Sequence, residues 1–176
     1  MKLVSEKWMD EYDRTGEGWL RILSSSMSPL IRVGDRILVK RVPLSTIHVG
    51  DIVTYQDEDV LVTHRVVRKA EQDGNLCFID RGDRYSHYSL VKPQSIIGKV
   101  SKVKKSKKTF ALDAITWRLI NRTAGILFNF VFFTKSLKNK LPFNPRPLKI
   151  RLTKIYQAFT FMIAKVLGII TARAKK

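Results

Sequence analysis

Disulfide chemistry is absent from this 176-residue chain: Cys77 is its one cysteine, so neither an intrachain bridge nor a cysteine-rich zinc site can form. Acid is scarce in one stretch only. Residues 1–100 hold 15 Lys and Arg against 14 Asp and Glu, whereas residues 101–176 hold 18 against the single Asp113, so nearly all of the net charge of +18 sits in the second stretch. Two regions with different tasks follow from that division. A long apolar run is missing too. The cleanest, Ala124–Phe133, is about half of the roughly twenty residues that a bilayer-spanning helix needs. Met1–Trp8 is followed by acids and not by an apolar run, so no secretory signal is expected, and the first region is expected to begin in the cytosol. His48 and His87 stand in polar surroundings without metal-ligating company, and no phosphate-cradling glycine loop is present, so no metal and no cofactor is expected. In the basic stretch the aromatic residues are grouped with aliphatic ones and not interleaved with the charges, so no nucleic-acid partner is expected.

What is present reads as mainly β. Leu3, Val4, Trp8, Met9 and Tyr12 recur near helical spacing and Thr15-Gly16 ends the pattern, giving a short amphipathic helix within residues 1–17. Short runs rich in Val and Ile follow as strands: Trp19–Leu23, Arg36–Lys40, Ile52–Tyr55, Val60–Val67, Leu76–Asp80 and Ile96–Val103. Cys77 falls inside the fifth and reads as a buried strand residue. Gly34-Asp35, Gly50-Asp51 and Gly82-Asp83 mark turns, since glycine tolerates positive φ and aspartate can bond neighbouring backbone. Asp73-Gly74-Asn75 reads as a hairpin connection. Residues 18–103 therefore form one small β domain. Residues 104–176 form a basic tail: Lys102–Lys108 with five lysines, then helical stretches at Phe110–Phe133 and Ile150–Thr171 separated by Pro142, Pro145 and Pro147. Such helices either lie on an anionic membrane surface or pack on the β domain or on a partner protein.

One stretch is far more restrictive than these patterns. Ser24-Ser25-Ser26-Met27-Ser28-Pro29, followed by Ile31–Val39, resembles the nucleophile box of the signal peptidase family. Gly50–Tyr55 leading into Leu61-Val62-Thr63-His64-Arg65-Val66-Val67 is similar to the histidine box of the endoplasmic-reticulum and archaeal branch of that family. The resemblance covers roughly residues 18–103. It implies the small, irregular, mostly β fold shared by signal peptidases and LexA-like self-cleaving repressors, with Ser26 as nucleophile and His64 as base.

The chemistry suits those residue types. A serine hydroxyl is a weak nucleophile at neutral pH and must lose its proton to a positioned base as it attacks. Imidazole, with an ordinary pKa of about 6.5, is fitted to that task, and a strand holds His64 in place. Lys69, the one lysine near this box, lies in the polar run Arg68–Glu71, where nothing would strip its proton, so a serine–lysine pair is disfavoured. In bacterial members a serine two positions before the nucleophile helps to hold the oxyanion, a role that the resemblance gives to Ser24. The family's later box has a Gly-Asp pair followed about six residues on by an aspartate that orients the histidine. Here that offset from Asp83 lands on Ser89. Asp83 is then the acid left to complete a triad, or a hydroxyl such as Ser89 or Tyr88 orients His64 in a dyad.

The resemblance implies a serine endopeptidase that takes an extended peptide as an added strand, prefers small side chains before the cut, and trims a leader or signal segment. The tail would hold it peripherally on the cytoplasmic face of an anionic membrane, or on a partner protein. A catalytically weak or inactive scaffold with the same fold is the alternative, favoured by Ser89 at the acid position.

Overall fold

The computed structural model describes residues 6–138, apart from 73, 86 and 107. A helix α1 (Glu6–Thr15) precedes strands β1 (Glu17–Arg21), β2 (Arg36–Lys40), β3 (Ile52–Asp57), β4 (Val60–Gln72), β5 (Asn75–Arg81), β6 (Ser89–Val91), β7 (Ile96–Lys105) and β8 (Lys108–Ala111), and a helix α2 (Ile115–Lys138) follows. The eight strands form one antiparallel sheet in the order β1-β2-β7-β3-β4-β5-β6, with β8 paired to β7. This is the mainly β domain with a leading helix that the sequence indicates. The expected helical stretch Ile150–Thr171 and the prolines before it lie outside the described residues.

Two of the Gly-Asp pairs work as turns in the expected way. Gly34 and Gly50 have φ of 90° and 96°, and each following aspartate accepts the N–H three residues before it: Arg32 N–H to Asp35 at 2.8 Å and His48 N–H to Asp51 at 2.9 Å. Each carboxylate also meets a lysine of β7, Lys105 at 2.6 Å and Lys99 at 2.8 Å, so both turns are tied to the central strand. Burial in this setting pushes the Lys105 ammonium below its ordinary pKa, an effect that Asp35 opposes.

The sheet runs on past Val103, where the sequence suggests the change from β domain to tail. β7 runs on to Lys105, with Val103 buried between exposed Lys102 and Lys104, and turns back as β8. Lysines were compatible with a strand because alternation lets their side chains face water while Val103 faces the core. α2 then lies against the domain, burying Trp117, Ile120, Asn121, Ala124, Phe128 and Val131. Its approach at Gly50 leaves no room for a side chain, since a Cβ there would stand 2.3 Å from the Asn121 carbonyl oxygen. Among the described residues no helix is long and apolar enough to cross a membrane.

Apolar packing fixes the frame of the site. Met27, Leu30 and Ile31, which follow the serine run, join Tyr12, Ile37, Val39, Ile52, Val100 and Val103 in the largest buried cluster. Ile47, Val53, Tyr55, Val66, Phe78 and Val91 form a second, next to β4 and β5. Cys77 is buried in β5, as its neighbours suggested.

Candidate active site

Ser26 lies in a turn whose geometry comes from both sides. Met27, beside it, is 1% exposed and anchors the turn in the core, while the Ser26 carbonyl accepts the Arg84 N–H at 2.9 Å. The serine turn is thereby bonded to the loop after β5. The hydroxyls of Ser24 and Ser26 are 3.2 Å apart, and that of Ser25 is 3.3 Å from the Tyr85 hydroxyl.

His64 comes from β4, opposite Val53 of β3. Its Nδ1 stands 2.9 Å from Oδ2 of Asp80, whose side chain is fully buried while that of His64 keeps 20% of its surface exposed. Nε2 points the other way. A Cβ on Gly82 would sit 3.3 Å from that Nε2, 3.2 Å from Ser26 Cβ and 2.9 Å from the Ser26 carbonyl oxygen. Ser26 and His64 therefore border the same methyl-sized space, which glycine leaves open. Gly82 is no left-handed turn residue; what matters there is the missing side chain.

Asp80 is the acid that meets the imidazole, and the expectation for Asp83 is corrected. Asp80 also accepts the Ser89 N–H at 3.2 Å. Burial, and then the nearby Asp80 carboxylate, push the Tyr55 phenol far above its ordinary pKa. Ser89 and Tyr88 do not reach His64 as hydroxyl partners: Ser89 contributes its backbone N–H to Asp80, and the Tyr88 hydroxyl pairs with Arg81 at 3.2 Å and with the Phe128 carbonyl at 3.2 Å. Asp83 is held elsewhere. Arg65 Nε and Nη2 bond its two oxygens at 2.8 Å each, and Arg65 Nη1 reaches the Gly50 carbonyl and Asn121 Oδ1, both at 2.8 Å. All of this is buried.

A bulge accounts for the exchange of roles. Counted from the hairpin, β4 and β5 pair Gln72 with Asn75 and Arg68 with Ile79, a register that would carry on to set His64 opposite Asp83. An extra residue at Val67 shifts the ladder, so Val66 pairs with Asp80 and Arg65 with Arg81. A slip of one residue moves side chains to the opposite face. His64 and Asp80 then become diagonal neighbours on one face, and Arg65 and Asp83 are turned toward the other. An acid closing the apolar run Leu76–Ile79 was the signal for Asp80 in the sequence.

The site opens into a groove of about 610 Å³ lined by Trp8, Trp19–Ser24, Ser26, Met27 and Val60–His64. His48 and His87 are exposed, and Lys69 bonds the Ser45 carbonyl at 3.3 Å.

An antiparallel β domain thus brings a serine, a histidine and a buried aspartate together beside a groove. Over 64 residues the chain is 39% identical to signal peptidase I W of Bacillus subtilis (strain 168), a stretch amounting to 35% of this chain and 34% of that protein. The match thus spans about a third of that relative's length. The likeness is to the signal peptidases at the level of the family. No protein-family model matches the chain.

Proposed function

We propose that this chain is a signal-peptidase-like serine endopeptidase of the serine–histidine type found in the endoplasmic-reticulum and archaeal branch. Ser26 is the nucleophile, His64 the general base, Asp80 the residue that orients His64, and Ser24 a donor to the oxyanion. The carrying observation is the 2.9 Å contact of His64 Nδ1 with buried Asp80, with Nε2 facing the space that Ser26 borders.

The reaction follows from those positions. Ser26 Oγ attacks the peptide carbonyl carbon while its proton passes to Nε2 of His64. The Ser24 hydroxyl and the Ser26 backbone N–H hold the charge on the carbonyl oxygen, and removal of one such donor typically costs about 2.7 to 4 kcal/mol of barrier. Collapse breaks the C–N bond, His64 returns the proton to the leaving amine, and water deprotonated by His64 then hydrolyses the acyl-enzyme. Asp80 keeps the imidazole in the tautomer with Nδ1 protonated and stabilises its cationic form. The peptide lies extended between β1 and the Val60–His64 portion of β4, where backbone bonds supply affinity. Its segment is a leader or signal sequence.

Against the scaffold reading stands Asp80, whose carboxylate meets His64 and also accepts the Ser89 N–H. A serine-directed fluorophosphonate probe tests the proposal: labelling of the wild type should be lost in Ser26→Ala and His64→Ala. Equal labelling of all three proteins would sink it.

The basic tail carries the chain to an anionic membrane at the cytoplasmic face, each nearby Lys or Arg adding roughly 1 kcal/mol. Deletion of residues 139–176, which spares α2, should release the protein from vesicles containing phosphatidylserine. Undiminished vesicle binding would defeat this part of the reading.

A further inference from the structure

β1 is the terminal strand of the sheet, so among the described residues one of its edges has no strand beside it. Hydrogen bonds identify the groups on that edge. The Ile22 N–H donates to the Asp35 carbonyl at 2.8 Å and the Ile22 carbonyl accepts the Gly34 N–H at 2.9 Å, so the backbone of Ile22 faces the β2 side. Strand geometry alternates with a period of two. The backbone groups of Trp19, Arg21 and Leu23 are therefore turned to the outer edge, the one a substrate strand would join.

One of those positions is already taken. Trp8 of α1 donates its indole N–H to the Trp19 carbonyl at 3.1 Å. A Cβ on Gly18 would stand 2.8 Å from three atoms of the indole, so the glycine makes room for the ring. Tyr12 supports it from below. The two rings stack with centroids 5.0 Å apart, and the Tyr12 hydroxyl bonds the Ile97 carbonyl at 2.8 Å. Trp8 lines the same groove as Ser26 and His64.

We infer that Trp8 is a specificity-determining residue: its indole closes the strand-addition edge at Trp19 and sets the length of extended peptide that the groove reads. This rests on the peptidase reading above. Among the described residues Arg21 and Leu23 remain open between the indole and Ser26, and two outward positions serve a segment of about four residues. Beyond that, a longer peptide meets the face of Trp8 and gains no further backbone bond.

The test uses fluorogenic peptides with alanine before the scissile bond, lengthened one residue at a time on either side. In the wild type, kcat/KM should stop rising once the segment along β1 reaches about four residues. In Trp8→Ala, and independently in Gly18→Ala, whose methyl displaces the indole, it should keep rising. The ratio of long-peptide to short-peptide kcat/KM should grow about fivefold over the wild-type ratio, the worth of one further net hydrogen bond. A wild-type rate that climbs past that length, or both variants levelling off where the wild type does, overturns the inference. So does a loss that falls equally on short and long peptides, which would make Trp8 a packing residue only. If the wild type cleaves none of the peptides, the peptidase reading fails by itself. Binding of the same series to the Ser26→Ala form, followed by fluorescence anisotropy, then decides the cap: a length plateau that Trp8→Ala removes supports it, and absent or length-independent binding overturns it.

Discussion

The two faces of β4 carry the same pairing of chemistries to different ends. On one, His64 meets Asp80; on the other, Arg65 meets Asp83. Both aspartates are fully buried, and both pairs are diagonal across the β4–β5 ladder. What separates them is saturation. The guanidinium of Arg65 spends its donors on Asp83, Gly50 and Asn121, tying β4 to the loop after β5, to the Gly50 turn and to α2. His64 bonds Asp80 through one nitrogen and keeps the other beside Ser26 and the open groove. A closed network holds a fold, whereas a pair with one group left facing the groove can take and return a proton.

Substitutions should pull these faces apart. The largest effect belongs to the groove side, where Ser26→Ala should lower peptide cleavage by about six orders of magnitude, to background, in a turnover assay. Asp80→Asn should cost about four orders in kcat while the urea midpoint stays near that of the wild type, because the amide preserves shape but disturbs the imidazole tautomer. Removal of Asp83 should act in the reverse sense. Asp83→Ala leaves the Arg65 cation buried without its main partner and should cost about 3 to 5 kcal/mol in urea unfolding. A stable Asp83→Ala protein with abolished turnover would break the comparison.

Smaller changes sharpen it. Gly82→Ala places a methyl where Ser26 and His64 meet and should reduce kcat about 100-fold, as expected for a displacement of about 1 Å, with the melting temperature reporting any separate loss of packing. The alkaline limb of stability is the mildest readout. Tyr55, Tyr12 and Tyr88 all have phenol pKa values raised by burial. Their contribution is complete below the ordinary value of about 10 and declines above it, since the unfolded chain ionises there while the folded one does not. Urea midpoints should therefore fall as pH rises past that value, and less steeply in Tyr88→Phe. A flat profile would mean that these hydroxyls ionise in the folded state as readily as in the unfolded chain.

Much of the frame is local and was legible. Alternation of Val and Ile marks six strands, and Gly34-Asp35 and Gly50-Asp51 announce their turns because φ and a short carboxylate decide them within four residues. The short β6 and β8 escaped, since neither has an apolar pattern of its own and each exists by pairing with a longer strand. Ser26 and His64 stood out as residues of restrictive motifs. Asp80 did not, although it lies three positions from the acid that was named.

The chain's own order of residues determined that a serine and a histidine are held by a small β domain, because strand periodicity and turn chemistry are properties of neighbours. Which aspartate faces the histidine was decided only when β4 met β5. An unpaired residue at Val67 shifts every later cross-strand partner and exchanges the two faces, and that shift exists in the pairing, not in either strand alone.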